Sequence, residues 1–437
     1  LKNLPDGLDA TYDRILQSIK PKFRRPVSNV LKWLSFSLRP LIVEEIAEIF
    51  ILDHDRKPPF DELDRLSQPE IVLNYLPSLV TKVTVKRDGY EWRETLRYDE
   101  KVIEIKLAHF SIKEYLMSPR IVQSPAKNFF MTEKDAHLHI SEACLAYHLH
   151  LSLSILATAE ECKRFALWEY VGRYWLDHLE RVPRASWTSL VTGMAVQALS
   201  PNSPNLLNMN RIAYPSYSWV RPRWSVSLED LASPLYYTAG HGATQLIELL
   251  LDTGVDINEH SARNDGVALI IAISKGHINV LKLLLDRGAK LNTIEGSLYG
   301  NALQTAVCTG SKNVVHFFLE RGVDINAQGG YFGSALQGAA FRGNTDIMQL
   351  LLDRAADINA HGGKFGNALQ AAIVKDNIQC AELLVSRGAR VDSPGPQWEE
   401  FMRKISVIHG ERIVNNLREF QEDPSGYIAA RRRPHNA

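Results

Sequence analysis

The second half of the chain repeats itself with a period close to 33 residues, and that period restricts the fold more than any other feature. Aligned on one leucine, the units place Leu235, Leu269, Leu303, Leu336 and Leu369 at spacings of 34, 34, 33 and 33 residues. Seven residues later comes a loop position, held by Gly242, Gly276, Gly310, Gly343 and Asp376. Apolar triplets follow at Leu249 to Leu251, Leu283 to Leu285, Phe317 to Leu319, Leu350 to Leu352 and Leu383 to Val385. Beyond each triplet lies Gly254, Gly288, Gly322, Ala355 or Gly388, then Asn258, Asn292, Asn326, Asn359 or Asp392. Each unit reads as helix, turn, helix, loop, with a triplet that one unit cannot bury, so stacked neighbours must complete the core. The glycine after the triplet suits a left-handed helix C-cap, where a side chain costs about 1–2 kcal/mol. Ala355 departs from that rule, and its replacement by glycine is expected to stabilise the array.

The residues that carry this pattern resemble the ankyrin repeat. Ser233-Pro234-Leu235-Tyr236 is similar to the family's Thr-Pro-Leu-His opening, whereas Ala302 to Gln304, Ala335 to Gln337 and Ala368 to Gln370 read Ala-Leu-Gln instead. That departure removes the family's usual Thr and His hydrogen-bonding pair. The resemblance covers about residues 231–393, in about five repeats. The tail from Gln397 to about Phe420 places Phe401, Ile405, Ile408, Ile413 and Leu417 at helical spacing and is expected to cap the stack. Residues after Glu422 read as a disordered, solvated end that includes Arg431 to Arg433.

The first half is different in kind. Leu8, Tyr12 and Ile15 share a helix face; Val27, Val30, Leu31 and Leu34 share another, ended by Arg39-Pro40; Glu44 to Ile51 is a third helix and Glu70 to Leu76 a fourth. The run Val83 to Val85, a turn at Arg87-Asp88-Gly89 and a second run Val102 to Leu107 spell a hairpin. Helices followed by a hairpin predict a winged helix. From His137 to about Val196 the spacing is helical again, with Ile140, Cys144 and Tyr147 on one face and an aromatic stripe of Trp168, Tyr170, Tyr174 and Trp175. Pro, Asn and Ser between Ser200 and Asn210, then Pro215 and Pro222, predict a linker. The expected fold is mostly α: a winged-helix-like region over 1–120, a helical domain over 121–199, a linker over 200–230, an ankyrin-repeat α-solenoid over 231–393, and a cap helix with a disordered tail over 394–437.

The segment LAHFSIKEYL, Leu107 to Leu116, resembles the H-x-S-x-x-E-Y motif in the winged helix of NACHT-type signal-transduction ATPases. LPDGLDATYDRIL, Leu4 to Leu16, is similar to the helix after their nucleotide-binding core, and WEYVGRYWLDH, Trp168 to His178, to a helical segment of fungal NACHT-ankyrin (STAND/NLR-like) proteins. The resemblance implies a signalling role in the cytoplasm, an ATPase core upstream of Leu1, and a nucleotide-facing role for His109. A histidine that only joins a strand to a helix is the other reading of His109.

Chemistry-bearing motifs are otherwise absent from the sequence. No G-x-x-x-x-G-K-S/T string occurs, and Gly363-Lys364 precedes Phe365 rather than Ser or Thr, so nucleotide hydrolysis by this chain is not expected, nor is any bound cofactor. G-x-S-x-G and H-E-x-x-H are also missing, which disfavours an enzyme. Charge balances at 50 Lys+Arg against 50 Asp+Glu, and Glu70 to Val80, ahead of the hairpin, has no Lys or Arg. A DNA-reading helix needs such donors, so Lys82, Lys86, Arg87 and Arg93 read as a solvated wing. His137, His139, His148 and His150 lack the spacing of a metal set, and Cys144, Cys162, Cys308 and Cys380 are too far apart for a disulfide framework or zinc motif. No apolar run reaches membrane-spanning length.

What remains is a protein partner on the concave face of the array. Its loop fingers read Leu298-Tyr299-Gly300, Tyr331-Phe332-Gly333 and Lys364-Phe365-Gly366. Two arrangements are open: Tyr299, Phe332 and Phe365 form an exposed aromatic ladder, or they fold back and leave Tyr331, His361 and Lys364 at the surface. With 17 acidic and 13 basic residues from Glu229 to Asp392, the array is no nucleic-acid surface.

Overall fold

The computed structural model describes residues 6–86, 101–151, 164–213, 227, 231–261, 266–290, 300–390, 406 and 411–431. It divides into two compact units, Leu1–Tyr237 and Thr238–Ala437. Tyr299, Asn292, Asp392, Cys162, the turn Arg87-Asp88-Gly89, Arg93, Phe401, Ile405, Ile408, Pro215, Pro222, Arg432 and Arg433 lie outside the described residues.

In the first unit, α1 (Asp6–Ser18) and α2 (Pro21–Phe36) lead into β1 (Leu41–Ile42) and α3 (Val43–Ile51). Helix α2 buries Val27, Val30, Leu31, Trp33 and Phe36, while Leu34 is half-buried. Helix α3 begins where Glu45 turns back on the chain: its carboxylate accepts from Ile42 N–H at 3.0 Å and grips the Arg39 guanidinium at 2.6 and 2.9 Å. Strands β2 (Val80–Lys86) and β3 (Lys101–Leu107) pair antiparallel from Val80 opposite Leu107 to Lys86 opposite Lys101. β1 joins the far edge of β3, giving the sheet order β1-β3-β2.

The fourth helix expected over Glu70 to Leu76 is instead a 3₁₀ segment, Pro69–Tyr75. Its two prolines explain the correction. Pro69 opens it, Pro77 bars α geometry at Leu76, and Ser78 at φ 57° turns the chain into β2.

Helix α4 (Phe110–Met117) and the short α5 (Pro119–Val122) precede a helical layer formed by α6 (Glu133–Leu151), α7 (Trp168–Glu180), α8 (Ser189–Ala198) and α9 (Pro204–Ile212). Helices α6 and α7 pack together; Ile140, Cys144, Tyr147, Trp168, Tyr170 and Trp175 are buried, while Tyr174 is half-buried.

Helix α9 corrects the linker expected from residue 200. The Ser and Pro that suggested a linker are its start: Ser203 Oγ accepts from Leu206 N–H at 3.2 Å, and Pro204 occupies the first turn. Leu206, Leu207, Met209 and Ile212 are buried. Gly172 on α7 makes the seat, because a Cβ there would stand 2.2 Å from Ile212 Cδ1.

The repeats form a stack of helix pairs, whose inner helices are α10 (Pro234–Gly240), which begins in the first unit and ends in the second, then α12 (Ala268–Lys275), α14 (Ala302–Thr309), α16 (Ala335–Arg342) and α18 (Ala368–Val374). Their partners are α11 (Thr244–Asp252), α13 (Ile278–Asp286), α15 (Lys312–Glu320), α17 (Thr345–Asp353) and α19 (Ile378–Ser386). From α12 onward each inner helix packs on the next, and from α11 onward so does each outer one. In the last four triplets the middle residue, Leu284, Phe318, Leu351 or Leu384, is fully buried and the flanking two are half-buried. The C-cap residues Gly254, Gly288, Gly322, Ala355 and Gly388 all hold left-handed backbone, φ 65° to 93°, as expected from the sequence.

Helix α20 (Glu411–Glu422) packs on α18 and α21 (Pro424–Arg431) on α19, which corrects the disordered tail expected after Glu422. Asp423 Oδ1 accepts from Gly426 N–H at 2.9 Å, and Tyr427 meets Phe420 edge-on at 5.4 Å in a buried contact. Arg431, expected to be solvated, lies over the Tyr427 ring at 3.9 Å and bonds Asn416 and Glu419 at 2.9 and 3.0 Å.

Candidate protein-binding surface

The fingers are fixed by the glutamines of the Ala-Leu-Gln segments. Gln337 is buried and accepts from Ser334 N–H at 2.6 Å, while Ser334 Oγ accepts from Gln337 N–H at 3.3 Å, a capping box. Asn301 with Gln304, and Asn367 with Gln370, repeat it. The Gln304 amide then donates forward to Ala327 O and Gly333 O at 3.2 and 2.8 Å, and the Gln337 amide to Gly362 O at 3.2 Å and Gly366 O. One side chain thus closes its own helix and holds the next finger. The departure from Thr-Pro-Leu-His replaces one set of bonds with another. Lower in the loops, Asn326 Oδ1 accepts from Asp357 N–H at 2.8 Å and Asn359 Oδ1 from Arg390 N–H at 3.0 Å, so the recurring asparagine also links neighbours.

Successive fingers touch backbone to backbone. Gly363, at φ 60°, would place a Cβ 2.2 Å from Phe332 C, and Lys364 N–H donates to Tyr331 O at 2.9 Å. Phe332 and Phe365 are folded back, 3% and 0% exposed, so the second of the two arrangements holds for these rings. Tyr331 is 38% exposed, and Lys364 and His361 lie at the surface. The buried rings form a floor shared with the inner helix: Phe341 of α16 lies 4.5 Å from Phe365 and 5.0 Å from Phe332. Tyr331 stands edge-on to Phe365 at 5.4 Å with Lys364 Nζ 5.0 Å above its own ring, and Lys375 Nζ lies 4.6 Å from the half-buried Phe341 ring. Phe341 and Lys375 were not singled out from the sequence. For Lys375 a signal was present, because Lys275, Arg342 and Lys375 stand one residue before the loop position of their units, a column that Thr309 shares.

An ankyrin-repeat family model, in three copies, matches residues 221–295 and 303–394. The chain carries ankyrin repeats. The azaphilone pigments biosynthesis cluster protein L of Monascus ruber is 28% identical over 300 residues, an alignment covering 63% of this chain and 58% of that protein. The chain therefore spans somewhat more than half the length of that relative. The first unit holds the other residue singled out, His109.

His109 is exposed and caps α4: its Nδ1 accepts from Ser111 N–H at 3.2 Å, which leaves the ring proton of the neutral imidazole on Nε2, and lies 2.6 Å from Ser111 Oγ. Tyr12 OH lies 2.6 Å from Ser111 Oγ and Tyr115 OH donates to Asp13 at 2.6 Å, so the motif fastens α1 to α4. Burial, then the bond to Asp13, pushes the Tyr115 phenol up to about 12.

The histidines of α6 are engaged with other groups. His137 Nδ1 and His178 Nδ1 are 2.7 Å apart, His178 Nε2 faces Tyr170 OH at 2.8 Å, and His148 Nε2 bonds Asn205 O at 3.0 Å. His139 meets His54 edge-on at 5.1 Å. Burial lowers the pKa of His137, His139, His148 and His178, with His148 held at about 4. Among the described residues no group of three or more His, Cys, Asp or Glu is placed to hold a metal ion, and no helix is long and apolar enough to cross a membrane. Cys308 and Cys380 are buried, and burial pushes both thiols up to about 11, away from the reactive thiolate.

Proposed function

We propose that this chain is a non-enzymatic interaction module: the regulatory and sensor part of a NACHT-like signalling protein, whose ankyrin array binds another protein through its fingers and inner helices. The observation that carries the reading is the finger surface. Tyr331, half-seated on an aromatic floor with Lys364 over its ring and His361 exposed in the same finger as Lys364, has the form of an interface anchor: a large ring, held in place at little entropic cost, beside a charge that selects a partner. The first unit supports the NACHT part. Its order of helix, strand, helix, 3₁₀ segment and hairpin, with the sheet order β1-β3-β2, is compatible with a winged helix and supports that reading. A cytoplasmic location belongs to the same reading.

His109 favours one further role. Its Nε2–H is free to donate, so with a nucleotide-binding core alongside it could meet a phosphate, and the whole would be a nucleotide-driven switch. The chain's own sequence supplies no P-loop. Winged-helix DNA binding has no such support, since Pro69–Tyr75 carries no Lys or Arg.

The interaction reading is tested by selecting a displayed random-peptide library on the full chain. Enriched binders that lose affinity about tenfold or more on Tyr331→Ala or Lys364→Ala are expected. Binders indifferent to every finger substitution would remove the array as the binding surface.

A further inference from the structure

The finger surface has a chemical character that selects among protein partners. Two aromatic faces, Tyr331 and Phe341, are joined through the buried Phe365 ring, and each carries a lysine: Lys364 over the first at 5.0 Å and Lys375 over the second at 4.6 Å. Arg342 is exposed beside Phe341. No acidic residue occupies the inner-helix column that holds Lys275, Arg342 and Lys375. The nearest carboxylate in sequence, Asp376, faces Arg431 at 3.9 Å. The array's acidic residues gather elsewhere. Asp252, Asp286 and Asp353 end the outer helices, each paired with an arginine of the following repeat: Arg287 at 3.2 Å, Arg321 at 3.4 Å and Arg387 at 3.1 Å. Asp324 and Asp357 accept backbone N–H groups in the loops, at 2.9 and 3.0 Å. An array with more acidic than basic residues therefore shows a local cationic face where its aromatic residues meet the surface.

An exposed lysine over a partly exposed ring is held weakly, so it can turn toward an anion and uncover the ring face beneath. We propose that the surface built by Tyr331, Phe341, Lys364 and Lys375 takes an acidic peptide segment, whose carboxylates pair with the two lysines while an apolar side chain lies on the uncovered rings. This rests on the protein-binding reading and adds the class of partner. Carboxylates fit better than nucleic acid because the array carries more acidic than basic residues: a short acidic segment meets only the cationic patch, whereas a long strand must also cross surface of net negative charge.

The test extends the peptide selection on the full chain. Enriched sequences are expected to carry Asp or Glu beside Leu, Phe or Tyr. A fluorescein-labelled enriched peptide should lose about tenfold or more in affinity when its carboxylates become amides, or when the chain carries Lys364→Glu with Lys375→Glu. The paired Lys364→Gln and Lys375→Gln variant should weaken it less, and thermal melts should show all variants folded. Raising the salt concentration should weaken the acidic peptide and spare its amide version. Enriched peptides that are neutral or basic yet still depend on Tyr331 overturn the acidic class and leave the interaction reading standing. Displacement of the peptide by an equal concentration of oligothymidylate overturns it in favour of a single-stranded nucleic acid. A library that yields no binder overturns both.

Discussion

Ala355 holds a left-handed backbone, φ 65°, at the position where the other four repeats have glycine. A Cβ in that region meets the neighbouring carbonyl and costs about 1–2 kcal/mol. Glycine removes that cost but gains freedom in the unfolded chain, which returns roughly 0.5–1 kcal/mol. No packing term intervenes, since Ala355 is exposed and a Cβ at Gly254, Gly288, Gly322 or Gly388 would meet nothing within 4 Å. Ala355→Gly is therefore expected to stabilise the array by about 0.5–1 kcal/mol. For a unit such as Thr238–Ala437 that raises Tm by about 1–4 °C. Calorimetry of the full chain measures the shift. Hydrogen exchange locates it, because the Ala356 amide, bonded to Leu351 O at 3.0 Å, closes this cap. The reverse change, Gly322→Ala, should lower Tm by a similar amount. A lower or unchanged Tm for Ala355→Gly, with faster exchange at Ala356, would refute the assignment of strain to this cap.

Gln337→Ala removes the capping box and the hold on the next finger and strands the part-buried carbonyls of Gly362 and Gly366. We expect it to cost about 1–3 kcal/mol in urea denaturation, and a neutral result would deny the glutamine its linking role. Gly172→Ala forces Ile212 off its seat on α7 and should destabilise the first unit by about 1–3 kcal/mol, with partial recovery in the Gly172→Ala, Ile212→Val pair; a tolerated Gly172→Ala would argue that α9 does not dock there. The folded pKa of His148, about 4, lies below its unfolded value near 6.5, so the unfolded chain binds the extra proton between them. Stability from this group is complete above about pH 6.5 and declines toward pH 4, by at most about 1.4 kcal/mol per pH unit. The lowered pKa values of His137, His139 and His178 act in the same direction. Urea titrations at about pH 7.5 and 5.5 should show the loss, and a pH-independent midpoint would show that these imidazoles are hydrated.

By itself the sequence determined the repeat array, because a helix pair that cannot bury its own triplet has one general solution, to stack, and the 33-residue period states it openly. It also determined the left-handed caps, since glycine at a fixed offset marks backbone that side chains oppose, and the strands β2 and β3, whose alternation is local. Only the tertiary structure decided where the rings of Phe332 and Phe365 go, because an aromatic residue at a loop tip can face solvent or fold under the next finger, and Gly363 permits the close approach that buries them. It likewise decided that Pro204–Ile212 and Pro424–Arg431 are helices. Proline and serine read as a linker or as a helix start according to whether a surface such as Gly172 or Phe420 awaits the apolar face. Lys375 belongs to the binding surface for the same reason: its column was legible, but only the folded chain sets its charge over the ring of Phe341 from the preceding repeat.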